Sequence, residues 1–177
     1  MKLFMRAFLV VMVLSLSACV SKYKQIELTS TSKRPQFSSA DSVYLVTPEN
    51  GRYESAVYTA SGAYTAEVFN KAFSRHVKDL HLEGNPQPLD ESLKSAREKG
   101  YKILVYPEIT HWEDRATEWS GKPDRIEIKV RVVEVATGEI LDSILLVGSS
   151  KWATMGGDHP QDLLKKPVNA YIDSLYA

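Results

Sequence analysis

Residues 125–135 alternate: Ile126, Ile128, Val130 and Val132 fall on one side of an extended chain, and Glu127, Lys129 and Arg131 fall on the other. Side chains on a strand repeat every two residues, so this pattern describes a half-buried strand with one wet face. Ala136-Thr137-Gly138-Glu139 then turns the chain, with Gly138 supplying a positive φ, and residues 140–149 return as the antiparallel partner. This hairpin makes a sheet the frame of the fold, and the other segments have to cover it.

Those segments suit that task. Residues 42–47 form a short β-rich run that Pro48-Glu49-Asn50-Gly51 ends. Residues 53–60 fit more than one conformation. A helix is expected over 61–78, with Val68, Phe69, Ala72, Phe73 and Val77 on one side and Glu67 and Lys71 at i,i+4 spacing. Residues 79–83 alternate as a short strand, stopped by Gly84-Asn85-Pro86. A second helix is expected over 90–99, with Asp90 and Glu91 at its start, Arg97 and Lys99 at its end, and Gly100 just beyond. Residues 101–110 contain Ile103-Leu104-Val105, the mark of a central strand covered on both faces. Residues 158–176 form a last helical region with Leu164, Val168, Tyr171, Ile172 and Leu175 on one side; Asp158 and Gln161 resemble a capping box, and Pro167 requires two pieces or a kink. The order implies an α+β (mixed α/β) fold: a mixed sheet of four or five strands with helices packed on it, in one domain spanning residues 41–177.

The amino terminus carries different information. Lys2 and Arg6 precede an apolar stretch over residues 7–16, followed by Leu16-Ser17-Ala18-Cys19. A positive start, a short apolar run and small residues before a cut site describe a signal peptide, here residues 1–18; the run is shorter than the roughly 20 residues a spanning helix needs. Leu16-Ser17-Ala18-Cys19 resembles the lipobox of bacterial lipoproteins. The resemblance implies cleavage before Cys19, a diacylglycerol on its sulfur and a third acyl chain (palmitate or similar) on the new amino group. Two or more chains make membrane attachment effectively permanent. Val20 stands where aspartate commonly retains lipoproteins in the inner membrane, so the resemblance implies an outer-membrane protein facing the periplasm. Residues 19–40, rich in Ser, Thr and Lys, are expected to be a tether reaching on the order of 65 Å when extended.

Composition narrows the function. The chain has 22 basic and 22 acidic residues; removal of Lys2 and Arg6 leaves 20 against 22, a net charge of −2 that does not suit a nucleic-acid binder. One cysteine closes no internal disulfide and forms no zinc cluster. No Gly-x-Ser-x-Gly, His-Glu-x-x-His or phosphate loop is present.

Two stretches resemble a known group. Glu91-Ser92-Leu93-Lys94-Ser95-Ala96-Arg97-Glu98-Lys99-Gly100-Tyr101-Lys102-Ile103-Leu104-Val105 is similar to the helix-then-strand unit of the TolB amino-terminal-like fold of periplasmic lipoproteins, and Val133-Glu134-Val135-Ala136-Thr137-Gly138-Glu139-Ile140-Leu141 resembles its strand-Thr-Gly-Glu-strand signature. The chain also resembles proteobacterial lipoproteins of no assigned activity that bear His111-Trp112-Glu113-Asp114-Arg115-Ala116-Thr117-Glu118-Trp119-Ser120-Gly121. The shared scaffold implies a fold and carries over no catalytic or binding residue.

Residues 111–125 are the most unusual segment. His111, Trp112, Glu113, Arg115 and Trp119 are candidates for an exposed interaction loop, since Trp and Arg are favoured interface anchors; the alternative is that both tryptophans pack over the sheet. A metal site at His111, Glu113 and Asp114 would need the loop to fold back. His76 and His81 suit solvated or helix-end positions. Met155-Gly156-Gly157-Asp158 before a helix suits a plain cap better than an anion site. The expected function is a non-enzymatic binding or assembly module of the cell envelope, held to the membrane through Cys19 and meeting another envelope protein, without cofactor or metal. A ligand-binding or enzymatic role in peptidoglycan or glycan metabolism is the alternative, with the tyrosines as a groove lining; a subunit of a larger envelope assembly such as a ring is a third.

Overall fold

The computed structural model describes residues 21–29, 34–115, 123–150 and 159–177. The expected hairpin is its centre: β7 (Arg125–Glu134) and β8 (Ile140–Ser149) pair antiparallel, and Gly138 has φ 78° at the turn. Ile126, Ile128, Val130 and Val132 are fully buried, as the alternation requires. β6 (Ile103–Glu113) lies antiparallel on the other side of β7. β2 (Val43–Val46) runs parallel to both β6 and β5 (Leu80–Glu83).

The connections explain the layers. From β2 the chain passes through α1 (Ser61–Phe73) to β5 on one side, then back through α2 (Leu89–Glu98) to β6 on the other side. Right-handed crossovers that step in opposite directions place their helices on opposite faces of a sheet. Accordingly Phe69, Ala72 and Phe73 of α1 join Val43, Val105 and Ile128 in the larger core, whereas Ala96 of α2 packs with Tyr44, Val46, Leu104 and Val133. Ile103-Leu104-Val105 is therefore covered on both faces. The last helical region is broken as Pro167 requires: a 3₁₀ turn (Pro160–Leu163) precedes α3 (Lys165–Leu175), and the proline sits in the first turn of α3, where its missing N–H costs nothing. Its capping box uses His159 and Asp162 rather than the expected Asp158 and Gln161, and Asp158 lies outside the described residues. α3 lays Val168, Tyr171, Ile172 and Leu175 on the larger core.

Two segments depart from expectation. Residues 52–57 form a small hairpin, β3 (Arg52–Tyr53) with β4 (Ala56–Val57). More consequential is β1 (Lys22–Glu27), near the start of the expected tether, which pairs antiparallel with β8 from Lys22↔Ser149 to Glu27↔Ile144. It extends the sheet to six strands in the order β1-β8-β7-β6-β2-β5. Only Tyr23 of β1 packs against the core, so the strand is held by backbone hydrogen bonds that leave no apolar pattern in the sequence. Residues 34–37 are also docked: Arg34 donates to Ser174 Oγ at 2.7 Å, and the Phe37 amide donates to the Leu175 carbonyl at 2.8 Å. Within the expected tether of residues 19–40, residues 22–27 are thus corrected to a strand and residues 34–37 to a docked segment, while residues 19–20 and 30–33 lie outside the described residues.

Candidate functional site

α2 packs over β2, β6 and the Val133 end of β7. Farther along the same face, β1, β7, β8 and the end of β6 are left open. This open part carries a shallow groove of about 520 Å³ whose lining includes Lys24, Ile26, Leu145, Val147, Arg125 and Glu127. The alternation that buries Ile126 and Ile128 puts Arg125 and Glu127 here, where they pair with one another.

At the β6 end of the groove sits a polar corner. A bulge between Ile109 and His111 resets the strand, so that Trp112 turns into the core while His111 and Glu113 emerge together on the opposite face. Residues two apart on a strand share a face, and His111 Nε2 lies 3.1 Å from Glu113 Oε2. Glu113 is 7% exposed, and its second oxygen is paired with the Arg115 guanidinium. Tyr53, from β3, closes the corner: its ring meets His111 edge-on at 5.2 Å, and Arg115 lies 5.8 Å from the ring centroid with its guanidinium 3.4 Å from the hydroxyl. The Arg115 amide donates to Asp124 Oδ1 at 2.7 Å, and the Asp124 amide donates to Ser150 Oγ at 2.8 Å, tying the ends of β6, β7 and β8 together.

The charges shape one another. Burial, reinforced by the negative charge of Glu113, raises the Tyr53 phenol above its ordinary value. Burial also raises the Asp124 carboxyl; the Arg115 amide opposes this, while the nearby Asp114 and Glu113 charges add to it. Glu113 thus has one oxygen against the Arg115 guanidinium and the other within hydrogen-bond distance of the His111 ring.

Of the residues expected to contact a partner, His111, Glu113 and Arg115 converge in this corner. Trp112 does not: it is 3% exposed and faces Gly51, where an added Cβ would come within 2.5 Å of the Trp112 Cβ. As an exposed anchor it is corrected to a core residue, the packing alternative. Trp119 and Cys19 lie outside the described residues. Among the described residues no group of three or more His, Cys, Asp or Glu is placed to hold a metal ion, and no helix is long and apolar enough to cross a membrane. His76 stacks on Tyr176 and pairs with Asp173 at 2.8 Å. His81 stacks on Tyr44, whose hydroxyl donates to Glu83 at 2.9 Å. Sequence reasoning missed Tyr53 and Asp124. Tyr53 falls in the ambiguous segment 53–60, and Asp124 is recruited by a backbone amide that no spacing advertises.

Residues 36–175 match the family described as a domain of unknown function, DUF4823. The chain belongs to this family. The DUF4823 match begins just after the docked Arg34 and spans every element from β2 to α3. No curated protein matches the sequence. In fold, the DUF4823 chain is similar to PelC from Paraburkholderia phytofirmans, described as a dodecamer, with a TM-score of 0.65 at 12% identity over 89% of this chain and 99% of that one. It is also similar to lipoprotein GNA1162 from Neisseria meningitidis, with a TM-score of 0.50 at 15% identity over 76% of this chain and 97% of that one. At these identities the likeness is one of fold.

Proposed function

We propose that this DUF4823 chain is a bacterial envelope lipoprotein, anchored through Cys19 in the outer membrane with its domain in the periplasm, and that the domain is a non-enzymatic binding or assembly module for envelope proteins. The observation that carries the reading is the polar corner: Glu113 is paired with Arg115 and in contact with His111, and Arg115 also meets the Tyr53 hydroxyl, beside a shallow, open groove, a surface suited to contact rather than to chemistry. The Leu16-Ser17-Ala18-Cys19 motif supports the anchor, and the likeness in fold to a lipoprotein and to a protein described as a dodecamer supports assembly. Among the described residues the sheet ends in two strands, β1 and β5, each paired on one side only, and such edges invite a second chain. Glycan binding is favoured less, since among the described residues none that lines the groove is an aromatic platform for a sugar.

The test is extraction of the protein from host membranes in mild detergent, followed by mass spectrometry and light scattering. A triacylated chain in a complex larger than one copy is the expected result. A chain that is acylated but strictly monomeric and without a co-purifying envelope protein refutes the assembly role. A bare thiol refutes the anchor.

A further inference from the structure

Cys19 precedes Lys22 by three positions, and Lys22 is already paired with Ser149 of β8. A chain covers at most about 3.6 Å per residue, so roughly 10 Å of backbone separates the anchor of the proposed function from a fixed point on the sheet. A flexible tether of some 20 residues would instead hold the domain at a mean distance on the order of 25 Å and let it tumble. The first strand removes that freedom and brings one end of the sheet to the bilayer.

What that end presents matches a lipid surface. On the open face, β1 shows Lys22, Lys24 and Ile26, the last 44% exposed, and Leu28, just beyond the strand, is 48% exposed. Leu145 and Val147 of β8 continue the apolar strip. Arg125 and Arg115 nearby are taken by Glu127 and Glu113, whereas Lys22 and Lys24 face no carboxylate within ion-pair distance among the described residues. Two unpaired ammonium groups beside exposed aliphatic side chains are the amphipathic pattern that binds phosphate headgroups with apolar contact below them.

The geometry points to this β1–β8 patch as the surface on which the domain rests against the leaflet that holds its own anchor, lysines to the lipid phosphates. The assignment rests on the lipoprotein reading and deepens it. It leaves the β5 edge and the β7–β8 turn for protein partners; the turn begins five residues along β8 from Leu145, the partner of Ile26, or about 16 Å away at roughly 3.3 Å per strand residue.

The single cysteine makes the test clean, because acylation consumes its sulfur and a second cysteine then takes a label alone. Full-length acylated chains carrying Ile26→Cys or Ala136→Cys, labelled with an environment-insensitive fluorophore, are reconstituted into phosphatidylethanolamine–phosphatidylglycerol vesicles containing nitroxide-headgroup lipid. The label at position 26 is expected to be quenched several-fold more than the label at the exposed turn, and Lys22→Glu with Lys24→Glu is expected to bring the two closer. Equal quenching at both positions in chains that float with the vesicles overturns the resting orientation and leaves the anchor intact. Unchanged quenching in the lysine variant overturns the role of the lysines. Chains that carry no lipid by mass and do not float overturn the lipoprotein reading itself.

Discussion

The contact that locks the amino-terminal segment to the domain lies in the core, at Asp142. Tyr171 of α3 is fully buried and donates to Asp142 Oδ2 at 2.9 Å; Asp142 is 5% exposed, and Arg34 Nε lies 3.8 Å from the same oxygen. Arg34 also stands 5.5 Å from the Tyr171 ring centroid, and the Thr29 hydroxyl accepts from the Ser143 amide at 2.6 Å. Tyr171→Phe deletes one hydrogen bond to a charged group while Asp142 keeps Arg34, and costs about 1.5–3 kcal/mol. Asp142→Ala strands the buried Tyr171 hydroxyl and removes one of the two carboxylates beside Arg34, which keeps Glu27 and Ser174, and costs about 3 kcal/mol. In the double variant no hydroxyl is stranded, so its cost falls short of the sum by about 1.5 kcal/mol. The assay is urea unfolding of a soluble Cys19→Ser chain without its leader, comparing midpoints at constant slope; Asp142→Ala should also lower the melting temperature by roughly 6–12 °C. Strict additivity, or a cost below about 1 kcal/mol for Asp142→Ala, refutes the claim that this carboxylate joins Thr29 and Arg34 to α3.

Three further outcomes follow from the geometry. Gly62→Ala places a Cβ 2.2 Å from the Pro48 carbonyl oxygen, so the β2–α1 junction must shift; a loss of about 2 kcal/mol or more is expected in the same unfolding assay, whereas Gly84→Ala, whose Cβ meets nothing, stays within about 0.5 kcal/mol. Asp124→Asn keeps an acceptor for the Arg115 amide and removes a charge that burial disfavours: because the folded carboxyl titrates above its unfolded value, wild-type stability declines as pH rises through that range. The variant should match or exceed the wild-type melting temperature at neutral pH and show a flatter profile between pH 4 and 7. Tyr44, raised to about 12 by burial and then by the Glu83 hydrogen bond, and Tyr176, raised to about 12 by burial and then by the Asp41 charge, contribute stability that is fully present below pH 10 and is lost as pH climbs toward 12; an unfolding series that is flat from pH 9 to 12 refutes this.

The Asp173 carboxyl is held below its ordinary value first by the His76 hydrogen bond and then by Arg75, which fixes α3 to the end of α1. The Asp41 carboxyl lies below its ordinary value as well: burial pushes it up, but Lys102 at 2.6 Å and the Ser38 amide outweigh that. The pairings of Asp173 with His76 and Arg75 and of Asp41 with Lys102 join segments far apart in the chain, and neither is visible in local spacing.

Period-two alternation from Ile126 to Val132 determined the central strand and its buried face without any structure, because the pleat forces side chains to alternate. The apolar run at Ile103, the stripe on α1, the positive φ at Gly138 and the break at Pro167 were legible for the same reason: each is a rule about neighbours within a few residues. His111, Glu113 and Arg115 stood out as chemistry in an odd place, but which way each points was decided by a bulge at Thr110, whose position depends on the register with β7. Had the strand run without it, Trp112 would face solvent. The strand at Lys22–Glu27 was decided entirely by β8, since an edge strand is held by backbone groups that every residue carries and buries too little side chain to leave a pattern. Local periodicity thus sets which face of an element is apolar, while the partner that element meets, and with it the distance from the domain to Cys19, belongs to contacts more than a hundred residues apart.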